Sequence, residues 1–155
     1  MWKTPTKITL VRGAGEGDTF LTAFDRALLD AGIGDFNLIK VSSIVPPGAR
    51  FLDELPEIPK GALVPTVYSK IESALPGEII SACVGAGISE EGLGLLYEFS
   101  HNGTAQAAEE IVINMVKEGF AMRGLTLKDI YLVSAEHKVE KIGCVVCAAV
   151  MWWDK

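Results

Sequence analysis

Basic residues are scarce. Fourteen lysines and arginines stand against twenty aspartates and glutamates, for a net charge of -6. A nucleic-acid-binding domain is therefore not expected, because no cation excess is available to neutralise phosphates. The same deficit argues against attachment to anionic lipid. Long apolar runs are missing too. Mean hydropathy is +0.30, yet no run approaches the roughly 20 residues a membrane span needs. The longest candidate, Cys144 to Trp153, is bounded by Gly143 and Asp154. The opening Met1-Trp2-Lys3-Thr4-Pro5 lacks a charged-then-apolar signal segment. We therefore expect a cytoplasmic protein with no membrane partner. Its hydropathy points to much buried surface, in a core and between subunits.

Cysteine and histidine are also sparse. The three cysteines, Cys83, Cys144 and Cys147, form no disulfide framework by count. Cys144-Val145-Val146-Cys147 has redox spacing, but such pairs usually open a helix. Here they fall in a β-type run, where residues three apart point to opposite faces. No second pair completes a zinc site. Buried packing is the expectation for both. His101 and His137, the only histidines, read as solvent-facing. No metal site is expected.

What remains is a chain of 155 residues, 49% hydrophobic, which suits one domain. Strands are predicted at Lys7 to Val11, Phe36 to Val45, Val64 to Ser73, Glu78 to Ala86 and Leu93 to His101. Two more are predicted at Asp129 to Glu136 and Val139 to Trp152. The segment Phe51 to Ala62 carries Pro56 and Pro59 and reads as an irregular loop. One helix follows a cap at Asp18 or Thr19, with Phe20, Phe24, Ala27, Leu28 and Ala31 at helical spacing and Gly32 as a stop. A second follows Asn102-Gly103-Thr104 and runs to about Met122, ended by Gly124. Two helices among about seven non-alternating strands indicate an α+β sandwich.

Two segments could carry chemistry. Gly13-Ala14-Gly15-Glu16-Gly17 lies between a strand and a helix, as phosphate loops do. Its spacing matches no nucleotide motif, and Glu16 and Asp18 would repel phosphate, so a plain flexible turn is expected. The other segment is Val41-Ser42-Ser43-Ile44-Val45-Pro46-Pro47. The paired serines end an apolar run and precede two prolines, which stiffen the backbone. No histidine is near enough in sequence for a triad, and G-x-S-x-G is absent.

A set of ordered segments resembles the pyruvoyl-dependent arginine decarboxylases. It begins with Glu16-Gly17-Asp18-Thr19, Leu21-Thr22-Ala23-Phe24-Asp25, Ala27-Leu28-Leu29 and Ala31-Gly32-Ile33-Gly34. Asn37-Leu38-Ile39, Ser42 to Pro47, Gly61-Ala62-Leu63-Val64-Pro65-Thr66, Pro76-Gly77-Glu78 and Tyr97-Glu98 follow. The last runs from Glu136-His137 through Val139-Glu140-Lys141 to Gly143-Cys144. The resemblance covers nearly the whole chain.

That resemblance implies a four-layer αββα sandwich in a single domain. It implies self-cleavage between Ser42 and Ser43, giving pieces 1–42 and 43–155. Attack of the Ser43 hydroxyl on the Ser42 carbonyl, elimination and hydrolysis would leave a covalent pyruvoyl group at position 43. Serine suits this route because its β-oxygen is first a nucleophile and then a leaving group. The pyruvoyl carbonyl acts as the electron sink for which other enzymes use pyridoxal phosphate, so neither that cofactor nor a metal is implied. The implied reaction converts L-arginine to agmatine and carbon dioxide, for polyamine synthesis.

The same resemblance assigns roles. Glu98 is the implied proton donor, and Asp25 the partner of the substrate guanidinium. Leu28 and Ile44 are implied pocket walls. Asn37 is implied to assist processing or orient the reactive group. Asn37 and Ser43 lie six residues apart, about 20 Å on a straight strand. Either the chain bends, or adjacent subunits each supply one residue. The family forms trimers, sometimes paired into hexamers, with active sites between subunits, which suits the second option. Thr22 stands where the family often has asparagine, and Val45 where a larger apolar residue is usual. Both bear on pocket shape. Alternatives are a pyruvoyl decarboxylase of another amino acid and an unprocessed assembly subunit of the same fold. A nucleotide-binding module resting on Gly13 to Gly17 is a third.

Overall fold

A computed structural model describes residues 2–154. Among them, the chain runs β1 (Lys7–Glu16), α1 (Phe20–Asp30), β2 (Asn37–Lys40), β3 (Ile44–Val45), β4 (Arg50–Leu52) and β5 (Leu63–Ser73). It continues β6 (Ile79–Ser89), β7 (Gly94–His101), α2 (Ala105–Arg123), β8 (Leu127–Lys138) and β9 (Gly143–Trp152). One sheet has the order β2-β5-β9-β1-β4 and the other β3-β7-β6-β8. The sheets face each other across a core that includes Ile8, Val67, Ile80, Val84, Leu96 and Val145. Ala23, Ala27 and Ala31 of α1 pack on Val146 and Ala148 of the five-stranded sheet. Ala108, Val112, Val116 and Phe120 of α2 pack on Cys83 and Leu95 of the four-stranded sheet. The layers are therefore αββα.

Local signals explain the helix ends. Thr19 caps α1, accepting from the Thr22 amide while the Thr22 hydroxyl accepts from the Thr19 amide. Thr104 caps α2 and accepts from Ala107 N–H. Gly124 closes α2 at φ 63°, a left-handed conformation that glycine adopts without penalty.

Three expectations need correction. Gly13-Ala14-Gly15-Glu16 is not a turn. It continues β1, paired with β9 from Gly13↔Val146 to Glu16↔Gly143. The glycines serve packing. A Cβ on Gly13 would lie 2.2 Å from the Ala27 carbonyl oxygen, and one on Gly15 would lie 2.4 Å from the Arg26 side chain. Missing side chains let α1 rest directly on β1, so the glycine signal marked a close approach.

Phe36 to Val45 is not one strand. β2 pairs with β5 in the first sheet, whereas β3 pairs with β7 in the second. Residues 41–43 carry the chain between sheets. Hydrophobic patterning reports burial on either sheet equally well, so it gives no sign of the crossing.

His137 is not solvent-facing. Its side chain is 20% exposed, and its Nε2 lies 2.6 Å from Glu16 Oε2. The same carboxylate accepts from the Lys141 amide at 2.7 Å and the Glu140 amide at 3.3 Å. This clamp ties the β8–β9 turn to the end of β1. His101 is likewise half-buried, with Nε2 2.9 Å from the Thr104 carbonyl oxygen. Burial pushes the Glu16 carboxyl up, but His137 and the two amides outweigh it and hold the group below its usual range. Its stabilisation is present above the ordinary carboxylate pKa and lost as pH falls through the depressed folded value. Glu16→Gln is expected to cost about 1.5–3 kcal/mol. Thermal unfolding of the variant and the native chain should differ at pH 7 and converge in acid.

The cysteines follow the sequence reading. Cys144 packs under α1 and Cys147 between the sheets, on opposite faces of β9. Burial pushes both thiols up to about 12, which keeps them protonated and unreactive.

Candidate active site

The crossing between sheets is where the paired serines fall. Val41 N–H still donates to the Thr66 carbonyl in the first sheet, at 3.1 Å. Two residues later the Ser43 carbonyl accepts from Leu96 N–H in the second sheet, at 2.8 Å. Ser42 is exposed and Ser43 half-buried, and Val45 and Pro46 beyond them are buried. The Ser42–Ser43 peptide is thus a short bridge anchored at both ends. Ordinary strand pairing would have tied its amide and carbonyl into a ladder.

Glu98 comes to the same place through β7. Leu96 faces the inter-sheet core, whereas Leu95, Tyr97 and Phe99 face α2. Alternation puts Glu98 on the Leu96 side. The Ser100 hydroxyl, next along that face, donates to the Lys70 carbonyl on β5 at 2.9 Å. Burial pushes the Glu98 carboxyl up, and the positive charge of Lys40 opposes it.

Ser42 and Ile44 line a cavity of about 410 Å³. Val41, Pro46, Pro47 and Pro65 line it too, as do residues Trp2 to Pro5, Met151 and Trp153. Trp153 holds that N-terminal segment, with Nε1 donating to the Lys3 carbonyl at 2.6 Å. Ile44 is 39% exposed there.

The whole chain now bears on the question. The family model for pyruvoyl-dependent arginine decarboxylase matches residues 7–155. The chain belongs to that family. It is 52% identical over 155 residues to the pyruvoyl-dependent arginine decarboxylase of Pyrococcus furiosus, covering 97% of this chain and 98% of that one. It is 51% identical over 155 residues to that of Pyrococcus abyssi, with the same coverage. It is 47% identical over 154 residues to that of Methanocaldococcus jannaschii, covering 98% of this chain and 93% of the relative.

A pyruvoyl-family chain must offer a serine whose preceding carbonyl is open to attack. The Ser42–Ser43 peptide fits that need, because among the described residues no backbone hydrogen bond reaches the Ser42 carbonyl or leaves the Ser43 amide. Glu98 lies two residues beyond Leu96 on β7, with its carboxyl pushed up by burial.

The other residues singled out from sequence lie apart. Asp25 is exposed on α1, on the outer side of the five-stranded sheet, and among the described residues it forms no ion pair. Leu28 is half-buried against that sheet. Neither lines the cavity beside Ser42. Asn37 opens β2, and its side-chain amide donates to the Gly61 carbonyl at 2.9 Å. That bond steadies the β2–β5 edge leading into the bridge.

Sequence reading passed over Lys40. It ends β2, three residues before Ser43, and is the charge that acts on Glu98. Surveying charges beside the serine pair would have raised it.

Proposed function

We propose that this chain cuts itself between Ser42 and Ser43 and then converts L-arginine to agmatine and carbon dioxide, serving polyamine synthesis. The observation that carries the reading is the junction of Ser43 with β7, two residues from a carboxyl pushed up by burial. Family membership across residues 7–155 supports the reaction class.

In the proposed processing, the Ser43 hydroxyl adds to the Ser42 carbonyl carbon. The peptide C–N bond breaks, the Ser43 amine takes the proton, and an ester joins the two residues. Loss of the Ser43 α-proton then expels the Ser42 carboxylate from the β-carbon. Water adds to the resulting dehydroalanine in its imine form, and ammonia leaves. The Leu96 amide fixes the Ser43 carbonyl throughout, which limits the geometries available to the hydroxyl. Once formed, the pyruvoyl group supplies a carbonyl that takes up the electron pair left by departing carbon dioxide.

This chain's own residues do the rest. Glu98 holds a proton in a desolvated setting and delivers it to the substrate carbon. Asp25 accepts two parallel bonds from the guanidinium. Ile44 and Leu28 exclude water, and Asn37 orients the edge strand. Asp25 stands on an outer helix, whereas Glu98 faces inward between the sheets. The reading therefore uses a homo-oligomer, a trimer or a pair of trimers, in which a neighbouring copy completes each site.

Denaturing mass spectrometry of the purified protein tests this first. Two fragments, 1–42 and a pyruvoyl-blocked 43–155, are expected, with agmatine produced from arginine. An intact chain after prolonged incubation would sink the proposal, and turnover of a different amino acid in a substrate panel would redirect it. Asp25→Ala should raise the arginine KM roughly 10–100-fold, matching about 1.5–3 kcal/mol for a lost charged hydrogen bond. An unchanged KM would remove Asp25 from guanidinium recognition.

A further inference from the structure

We propose that Lys3 is the countercharge for the carboxylate that self-cleavage creates at Ser42. The inference rests on the cleavage proposed above and gives that reaction a further residue.

Cleavage changes the charge of the chain at one place. Before it, Ser42 ends in a neutral peptide carbonyl. In the elimination, water takes the Ser43 α-proton and a double bond forms between the α- and β-carbons. The electron pair of the β-carbon–oxygen bond leaves with the Ser42 carboxylate. Negative charge therefore grows on Ser42 in the transition state and stays there as a new chain end. A cation already in place lowers that barrier and holds the freed end.

The cavity at Ser42 offers one. Ser42 and Lys3 line the same space of about 410 Å³. Among the described residues that line it, Lys3 alone has a charged side chain. The others are tryptophan, proline, aliphatic residues, methionine, serine and threonine. Water screens a charge pair less against such walls than in open solvent. Ser43 is not part of the lining. Its carbonyl stays on Leu96 of the second sheet, while Val41 N–H holds the other side of the cut to Thr66 in the first. After the cut, only the end at Ser42 opens on the cavity.

Lys3 is placed for this by the other end of the chain. Its carbonyl accepts from Trp153 Nε1 at 2.6 Å. Thr6 N–H donates to the Trp152 carbonyl at 2.9 Å, and the Thr6 hydroxyl accepts from Asp154 N–H at 2.9 Å. The backbone of the segment is thus tied to the end of β9, while the flexible lysine stem can bring its ammonium to the chain end. Among the described residues Lys3 forms no ion pair. Other cations are engaged elsewhere. Lys7 and Arg50 both pair with Asp154. Lys40, two residues before Ser42, lies over the Tyr68 ring on the α1 side of its sheet.

Lys3→Met removes the charge and keeps much of the stem, whereas Lys3→Arg keeps the charge. Freshly translated full-length chains can be followed by denaturing mass spectrometry. Lys3→Met should release piece 1–42 about 10–100-fold more slowly than the native chain, the effect of one lost charged hydrogen bond. Lys3→Arg should restore most of the rate. Hydroxylamine separates an electrostatic role from a structural one. It cuts the ester and leaves a 43–155 piece that begins with serine instead of pyruvoyl. That piece should accumulate in Lys3→Met and stay scarce in the native chain. Equal rates, or slow cleavage without extra ester, would overturn the inference. Native processing with a raised arginine KM would also overturn it, by assigning the cation to the substrate carboxylate.

A second readout needs no variant. With serine labelled by 13C at the carbonyl carbon, Ser42 is the one labelled carboxylate of the cleaved protein. It should titrate at lower pH in the folded native protein than after unfolding in urea, because a nearby cation favours the ionised form. Coincident titrations would overturn the inference. If the native chain stays intact, the proposed cleavage fails and Lys3 loses its role with it. If the native chain cuts at Ser42 and Lys3→Met keeps pace, the role of Lys3 alone fails.

Discussion

Ser43→Ala is expected to migrate as one intact chain and to show no decarboxylation. The effect should be total. Alanine has no β-oxygen, so no ester can form, and no later step can supply a carbonyl at position 43. The fold is expected to survive. Residue 43 is half-buried, and its bond from Leu96 N–H uses the backbone carbonyl that alanine retains. Circular dichroism and thermal unfolding should match the native chain while mass spectrometry finds no fragments. Ser43→Thr is the informative companion. Its hydroxyl can start the attack, but its extra methyl group cannot yield pyruvoyl. Cleavage of Ser43→Ala at the same bond would require another nucleophile and would end this account.

Glu98→Gln should lower kcat by about 10²–10⁴-fold, the usual contribution of a positioned proton donor. KM should change little, because substrate recognition is assigned to Asp25. Stability gives a control with a definite sign. A carboxyl whose folded pKa is raised contributes most below its unfolded pKa, and that contribution falls as pH rises toward the folded value. Glutamine cannot ionise, so this loss disappears. Glu98→Gln should therefore unfold no earlier than the native chain at pH 7, despite its low turnover. A variant that loses activity and Tm together would point to packing damage. Near-native turnover would remove Glu98 from the acid role.

Much of the fold was legible in sequence because its signals are local. The second helix and its glycine stop are stated by Thr104, the stripe through Ala108 and Val112, and Gly124. β5 and β9 announce themselves as apolar runs. The opposite faces of Cys144 and Cys147 follow from strand geometry alone. Where the reading failed, the deciding contact was distant. Gly13 and Gly15 look like a turn until Ala27 and Arg26 are found against them. His137 looks exposed until Glu16, 121 positions away, is found 2.6 Å off.

The candidate site divides the same way. Chemistry is stated by residue type and order. Through the family resemblance, the serine pair before two prolines and Glu98 in an apolar run become the proposed nucleophile and acid. The sequence by itself determined that inventory and, through the family pattern, the class of reaction. Tertiary structure alone decided its arrangement. It split an apparent strand across two sheets, leaving the Ser42–Ser43 peptide between them, and tied the Ser43 carbonyl to Leu96 of β7, two residues from Glu98. It also set the Lys40 ammonium over the Tyr68 ring, 4.9 Å from its centre. Periodicity records whether a residue is buried, not which surface buries it. Strand partners are chosen by packing between segments far apart in the chain, and the physics of this site lies in that choice.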